Sequence, residues 1–147
     1  MLLGNFQYAL DEKGRASVPA PFRNAVCPRA EDIVILSPGA SLSEDPEKTC
    51  LWCQPRAVWE EMERKIDAMP NKQDLRRYLV QQAVECSLDK LGRILIPQHL
   101  REIAGLKDQI VWAGASVRIE LWDAAVWNGA QKKLGKDAAV ARAIAEL

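Results

Sequence analysis

The sequence predicts an α+β fold: a small β-barrel made of two like halves, residues 1–70 and 71–147, that close into one domain with helices packed outside. The first observation behind this is a duplication. Leu10-Asp11-Glu12-Lys13-Gly14-Arg15-Ala16-Ser17-Val18-Pro19-Ala20-Pro21-Phe22-Arg23 lies without a gap over Leu88-Asp89-Lys90-Leu91-Gly92-Arg93-Ile94-Leu95-Ile96-Pro97-Gln98-His99-Leu100-Arg101, sharing Leu, Asp, Gly, Arg, Pro and the final Arg. The second observation is that the segments downstream of the two copies also repeat. The run 33–36 is answered by 110–113, Cys50-Leu51-Trp52-Cys53 by Arg118-Ile119-Glu120-Leu121, and Ala57-Val58-Trp59 by Ala125-Val126-Trp127. One such unit has too few strands to bury both faces, since an isolated hairpin is marginal. Two units can close on each other about a pseudo-twofold axis.

Residues 6–10 alternate loosely and read as a strand entering the first copy, from which 16–18 return. Between them Asp11 starts a tight turn, because its carboxylate accepts hydrogen bonds from the N–H groups just ahead, and Gly14 supplies a positive φ without a Cβ clash. Arg15 then stands at the mouth of a hairpin, stem on the strand and guanidinium outward. Pro19 ends the run because it lacks a ladder donor, and Pro21 opens a short helix over 21–26, where a missing N–H costs nothing. Cys27-Pro28 ends that helix.

The apolar run 33–36 reads as a buried strand; 37–48, rich in Ser, Pro, Gly and acids and without a period, reads as a surface loop; 50–53 resumes as a strand. Pro55 starts a helix to about Ala68 in which Trp59, Met62, Ile66 and Met69 share a stripe while Glu60, Glu61, Glu63 and Arg64 face away. Pro70 closes it. Asn71 is placed to cap a second helix, through about Gln82, with Leu75, Tyr78 and Leu79 on its buried side.

Residues 84–88 enter the second turn, 94–96 leave it as an apolar β-branched run, and a short helix over 98–104 ends at Gly105. The second half lacks most of the 37–48 loop but otherwise matches the first. From 131 to 147 the chain is rich in Lys and Ala, with good helix propensity and little stripe, and reads as a frayed helix.

Apolar residues at 48% and charged residues at 27% fit a soluble globular chain. No apolar run approaches the roughly 20 residues of a membrane span, and the N-terminus lacks the plan of a secretory signal, so a cytosolic protein with no membrane partner is expected. Twenty basic side chains balance twenty acidic ones, which excludes polyanion binding by bulk charge and leaves a local cluster repeated in an assembly. Cys27, Cys50, Cys53 and Cys86 should be reduced thiols.

At the duplicated residues the sequence resembles the MraZ family of bacterial proteins encoded at the head of the division and cell-wall gene cluster. The matching pattern is Asp11 and Arg15, then Pro19 and Arg23, in the first copy, and Asp89 and Arg93, then Pro97 and Arg101, in the second. The likeness runs from about Leu3 to Trp127. It implies a double-split, swapped-hairpin barrel like that of the AbrB and MazE DNA-binding proteins, ring-shaped homo-oligomers, and a nucleoid-associated regulator. Such a regulator binds double-stranded DNA at direct repeats upstream of its own operon and represses it. Carried over residue by residue, the DNA-contacting set is Asp11, Lys13, Arg15, Asp89, Lys90 and Arg93. The first copy departs from the second in having Ala16 and Ser17 in place of Ile94 and Leu95, and Ala9 in place of Ser87.

The bland alternative is that each Asp/Arg pair only closes its own turn, in a ring-forming structural or protein-binding module without DNA specificity. An exposed ion pair contributes about 0–1 kcal/mol, which gives little reason to need Arg rather than Lys. The guanidinium fork, by contrast, suits phosphates and guanine edges. Arg23 and Arg101 read as helix-surface or subunit-contact residues. Cys50 and Cys53, three apart on a strand, point to opposite faces and read as core thiols rather than a redox or zinc pair. His99 has no nucleophile or second ligand beside it. The expectation is therefore no enzyme, no cofactor, no metal and no small-molecule substrate.

Overall fold

The computed structural model describes every residue of the chain except Ala30. Its elements are β1 (Asn5–Ala9), β2 (Arg15–Ser17), α1 (Ala20–Val26), β3 (Ile33–Leu42), β4 (Asp45–Pro55), α2 (Arg56–Asp67) and α3 (Lys72–Leu75), which runs into a π-helical segment (Arg76–Val80). The chain continues through β5 (Val84–Ser87), β6 (Arg93–Leu95), α4 (Gln98–Ala104), β7 (Gln109–Ala115), β8 (Arg118–Asp123), α5 (Ala124–Leu134) and α6 (Ala138–Ala145).

The result is a mixed α/β chain built on antiparallel strands. Six of them form one sheet in the order β1-β7-β8-β4-β3-β5, and β2 with β6 forms a separate two-stranded ribbon. This order reads the same when the two copies are exchanged. β4 and β8 meet at the centre, with Leu51 opposite Leu121, while β1 pairs with β7 and β5 with β3 at the edges.

The hairpin expected across each Asp-Gly turn is thereby corrected. β1 and β2 flank the first turn but go to different sheets, and both find partners in the other copy: β1 in β7, β2 in β6. A three-residue strand offers few ladder bonds, so the ribbon extends beyond them. The Val18 N–H donates to the Gly92 carbonyl at 2.9 Å, and the Ile96 N–H to the Gly14 carbonyl at 2.8 Å.

One core lies between the sheet and the ribbon. Ala16 and Ile94 from the ribbon, Phe22, Val26, Leu100 and Ala104 from α1 and α4, and Val34, Leu36, Leu51, Ile110, Trp112, Ile119 and Leu121 from the sheet are buried together. Strand alternation then sends Ile35 to the opposite face, where it meets Trp59, Met62 and Ile66 of α2. The α2 stripe is thus satisfied within the chain.

Residues 37–48 are not a loop. They lengthen β3 and β4 into one long hairpin, with Ser37 and Thr49 buried. Pro38 is tolerated there because the pairing shifts register just after it, between Pro38 and Ser41, and the irregular spacing hides the strand period from the sequence. Met69, beyond the end of α2, and Tyr78, in the π-helical segment, are 45% and 47% exposed rather than core. Asn71 precedes α3 but makes no side-chain cap. The tail is two helices, not one frayed one: α5 is capped by Asp123 accepting from the Val126 N–H, and α6 by Asp137 accepting from the N–H groups of Ala139 and Val140.

Gly14 and Gly92 have φ of +85° and +77°. A Cβ at Gly14 would lie 2.8 Å from the Arg101 guanidinium, and one at Gly92 would press on that of Arg23. Gly14→Val and Gly92→Val are each expected to destabilise the protein by about 1–3 kcal/mol, from backbone strain before any clash is counted. Thermal melts superimposable on wild type would contradict this.

Candidate nucleic-acid interface

The two turns are built alike, atom for atom. Asp11 Oδ1 accepts from the backbone N–H groups of Lys13 at 2.9 Å and Arg15 at 2.8 Å, while Oδ2 accepts from Arg15 Nε at 2.8 Å. Asp89 Oδ1 accepts from Leu91 and Arg93, both at 2.9 Å, and Oδ2 from Arg93 Nε at 2.8 Å. The backbone closes each turn, Gly14 N–H donating to the Asp11 carbonyl at 3.0 Å and Gly92 N–H to that of Asp89 at 2.9 Å. One carboxylate therefore shapes the turn and aims the arginine.

These donors hold both carboxyls below their ordinary value of 3.8. The following arginine's backbone N–H leads, partial desolvation opposes it, and the guanidinium hydrogen bond and charge add to the lowering. The ion pair of the bland reading is thus present, but it engages only Nε. Among the described residues, Nη1 and Nη2 of Arg15 and of Arg93 have no hydrogen-bond partner. Two parallel donors on each fork are therefore left unpaired among the described residues.

The ribbon puts the two arginines on one face. Arg15 lies opposite Leu95, Ala16 opposite Ile94 and Ser17 opposite Arg93. Ala16 and Ile94 point inward at 1% exposure, so the residues on either side of them face out. Arg15 and Arg93 are diagonal neighbours on that outward face, their backbones about 7–8 Å apart. Lys13 and Lys90 are exposed near the tips but are not equivalents: Lys13 corresponds to Leu91, and Lys90 to Glu12. All six expected site residues thus fall on the two turns and the ribbon between them.

Arg23 and Arg101 do more than decorate helices. Arg23 Nη2 donates to the Val18 carbonyl at 2.9 Å and Arg101 Nε to the Ile96 carbonyl at 3.0 Å, and each guanidinium lies against the glycine of the other copy's turn, Arg23 on Gly92 and Arg101 on Gly14. Both are half-buried. Each copy therefore braces the turn of its counterpart. The repetition of Arg at this spacing was the visible signal, but that it acts across the copies depends on strand exchange, which sequence spacing does not reveal.

Cys50 and Cys53 are buried, and burial raises both thiols well above the usual cysteine range; Cys86 is pushed up to about 11 for the same reason. Among the described residues no group of three His, Cys, Asp or Glu side chains could hold a metal ion. His99 is exposed, with Nε2 3.0 Å from the Gln82 carbonyl. No described helix is long and apolar enough to cross a membrane.

Comparison with known proteins finds the model of the MraZ protein family, whose description adds that it is antitoxin-like, matching residues 79–146. A protein named transcriptional regulator MraZ from Roseiflexus castenholzii is 38% identical over 152 residues, covering 100% of this chain and 99% of its own. Proteins of the same name from Nitrosospira multiformis and Caldanaerobacter subterraneus subsp. tengcongensis are 38% and 36% identical, each covering 87% of this chain and 85% of their own.

The lowered carboxyls give stability a definite pH dependence. Because the unfolded chain takes up protons that the folded turns refuse, the stabilisation from Asp11 and Asp89 is complete above about 3.8 and is lost as pH falls through the lower folded values. Urea midpoints measured from neutral to acid pH should therefore fall more steeply for wild type than for an Asp11→Asn, Asp89→Asn variant, the two curves converging at low pH. Parallel curves would show that the carboxylates do not organise the turns.

Proposed function

The chain belongs to the MraZ family, and on that premise we propose that it is a sequence-specific DNA-binding regulator of transcription that grips the major groove with its two-stranded ribbon. The observation that carries this reading is the pair of arginine forks on one outward face, each aimed through Nε and each left, among the described residues, with two unpaired Nη groups. A two-stranded β-ribbon fits the major groove, and a guanidinium fork matches either guanine O6 and N7 or a phosphate. Asp11 and Asp89 position the arginines, and Lys13 and Lys90 meet the backbone beside them. The targets of this reading are direct repeats upstream of the protein's own operon in the division and cell-wall cluster, with repression as the outcome and the nucleoid as the place of work.

The same reading has residues 1–70 and 71–147 as two units of one double-split barrel. The exchange of β1 and β5 between the copies and the symmetric strand order support it. It also has the chain act as a ring-shaped homo-oligomer. Trp59 and the apolar stripe of α2 are not available for it: Trp59 is only 7% exposed and packs with Ile35, Met62 and Ile66, so the subunit contact must use other surfaces. Leu134, Ile144 and Leu147, exposed along α5, α6 and the C-terminus, offer one.

Two experiments test this. Arg15→Ala with Arg93→Ala should abolish binding to the upstream DNA while melting like wild type, since each lost contact removes about 1–3 kcal/mol per site and the side chains are not core. A folded double variant of unchanged affinity would refute the assignment. Because a neutral chain with two small basic turns neutralises few phosphates, affinity should also depend on linking several subunits to several repeats. DNA carrying two repeats in phase should bind far more tightly than DNA carrying one, or two offset by half a helical turn. Equal affinity for all three would exclude the avidity mechanism.

A further inference from the structure

The ribbon and its turns are symmetric in their Asp, Gly and Arg residues and asymmetric in the exposed side chains around them. Exchange of the two copies swaps Arg15 with Arg93, but it also swaps Ser17 with Leu95, Lys13 with Leu91 and Glu12 with Lys90. Leu95 is 56% exposed and Leu91 68%, so the second copy places two bare leucines where the first has a hydroxyl and an ammonium group. Single exposed leucines are ordinary on a protein surface. Two of them framing Arg93 on one short strand and its turn, beside an otherwise polar face, call for a partner with an apolar group at matching depth.

We infer that Leu95, with Leu91 beside it, recognises the C5-methyl group of thymine and so fixes the direction in which the ribbon lies on DNA. The inference rests on the DNA-binding reading above. Arginines related by the exchange of the copies would accept a duplex in either of two opposed orientations, because each fork presents the same donors to the same edges. Something must separate the two. On the major-groove edge the thymine methyl is the apolar feature, and apolar contact is how side chains read it. Leu95 stands directly opposite Arg15, its Cβ about 4.5–5.5 Å away across the ribbon, so the methyl it covers belongs to a base close to the one Arg15 reads. At the other end of the ribbon Arg93 stands directly opposite Ser17, which offers a hydroxyl and no apolar surface. A ribbon turned end for end would set Leu95 against a different base and leave the methyl facing Ser17.

The test begins with a duplex enriched from a random-sequence pool by the full-length protein, so that the operator need not be assumed. Each thymine of one repeat is replaced singly by deoxyuridine, which removes the methyl and keeps the pairing edge. Binding of wild type, Leu95→Ala, Leu91→Ala and, as a control at the same 56% exposure but on the connection between β7 and β8, Val117→Ala is then measured. At least one replacement should weaken wild type and Val117→Ala by about three- to tenfold, the worth of one buried methyl, and have no effect on Leu95→Ala. Melting curves verify that the variants are folded. An enriched operator at which no thymine is methyl-sensitive, or at which Leu95→Ala keeps the wild-type sensitivity, overturns the inference alone. A pool that yields no enriched sequence overturns the DNA-binding reading and the inference with it.

Discussion

The antiparallel pairing of Arg15–Ser17 with Arg93–Leu95 is the contact on which the rest of the molecule depends. Among the described residues neither three-residue strand has another sheet partner, so each exists because the other does. That pairing sets both turns at the two ends of one ribbon, buries Ala16 and Ile94 over the sheet and leaves the arginines facing out. It also places each turn's glycine against an arginine of the other copy, where an added Cβ would force the guanidinium to move. Duplication alone would produce two separate arginine turns. Exchange of strands makes them one surface.

The division of labour within the turn is economical. The Asp carboxylate takes two backbone N–H groups on one oxygen and the arginine Nε on the other, so the guanidinium is oriented without being used up. An ion pair and a binding site are usually treated as rival explanations for the same two residues. Here the pair uses one donor of five, and on the DNA-binding reading proposed above it preorganises the remainder, which would lower the ordering cost of binding.

Much of this was legible in the sequence, and the reasons for what was not are physical. The turns were readable because Asp, Gly and Arg act locally, over hydrogen bonds spanning four residues. Strand identity was readable where apolar runs were short and dense, as at 33–36 and 110–113. Strand partnership was not, because β1 and β2 are adjacent in the chain yet pair with β7 and β6, and pairing at that distance leaves no local trace. Residues 37–48 misled for a related reason. Pro38 and Gly39 mark a register shift inside a long hairpin, and the same residues mark loops elsewhere. The roles of Arg23 and Arg101 were hidden by strand exchange, and the exposure of Leu95 by the apolar run 94–96 in which it stands.

On the reading proposed above, both turns act together as one DNA-binding surface. Hydrogen–deuterium exchange of the full-length protein, with and without its upstream DNA, tests this most directly, because it reports which backbone segments the duplex covers without altering any residue. Peptides spanning 11–17 and 89–95 should slow together on addition of DNA, while those from α2 and from β4 at the centre of the sheet stay unchanged. DNA binding that slows only one of the two turns, or that protects other segments and leaves both turns as they were, would contradict the account.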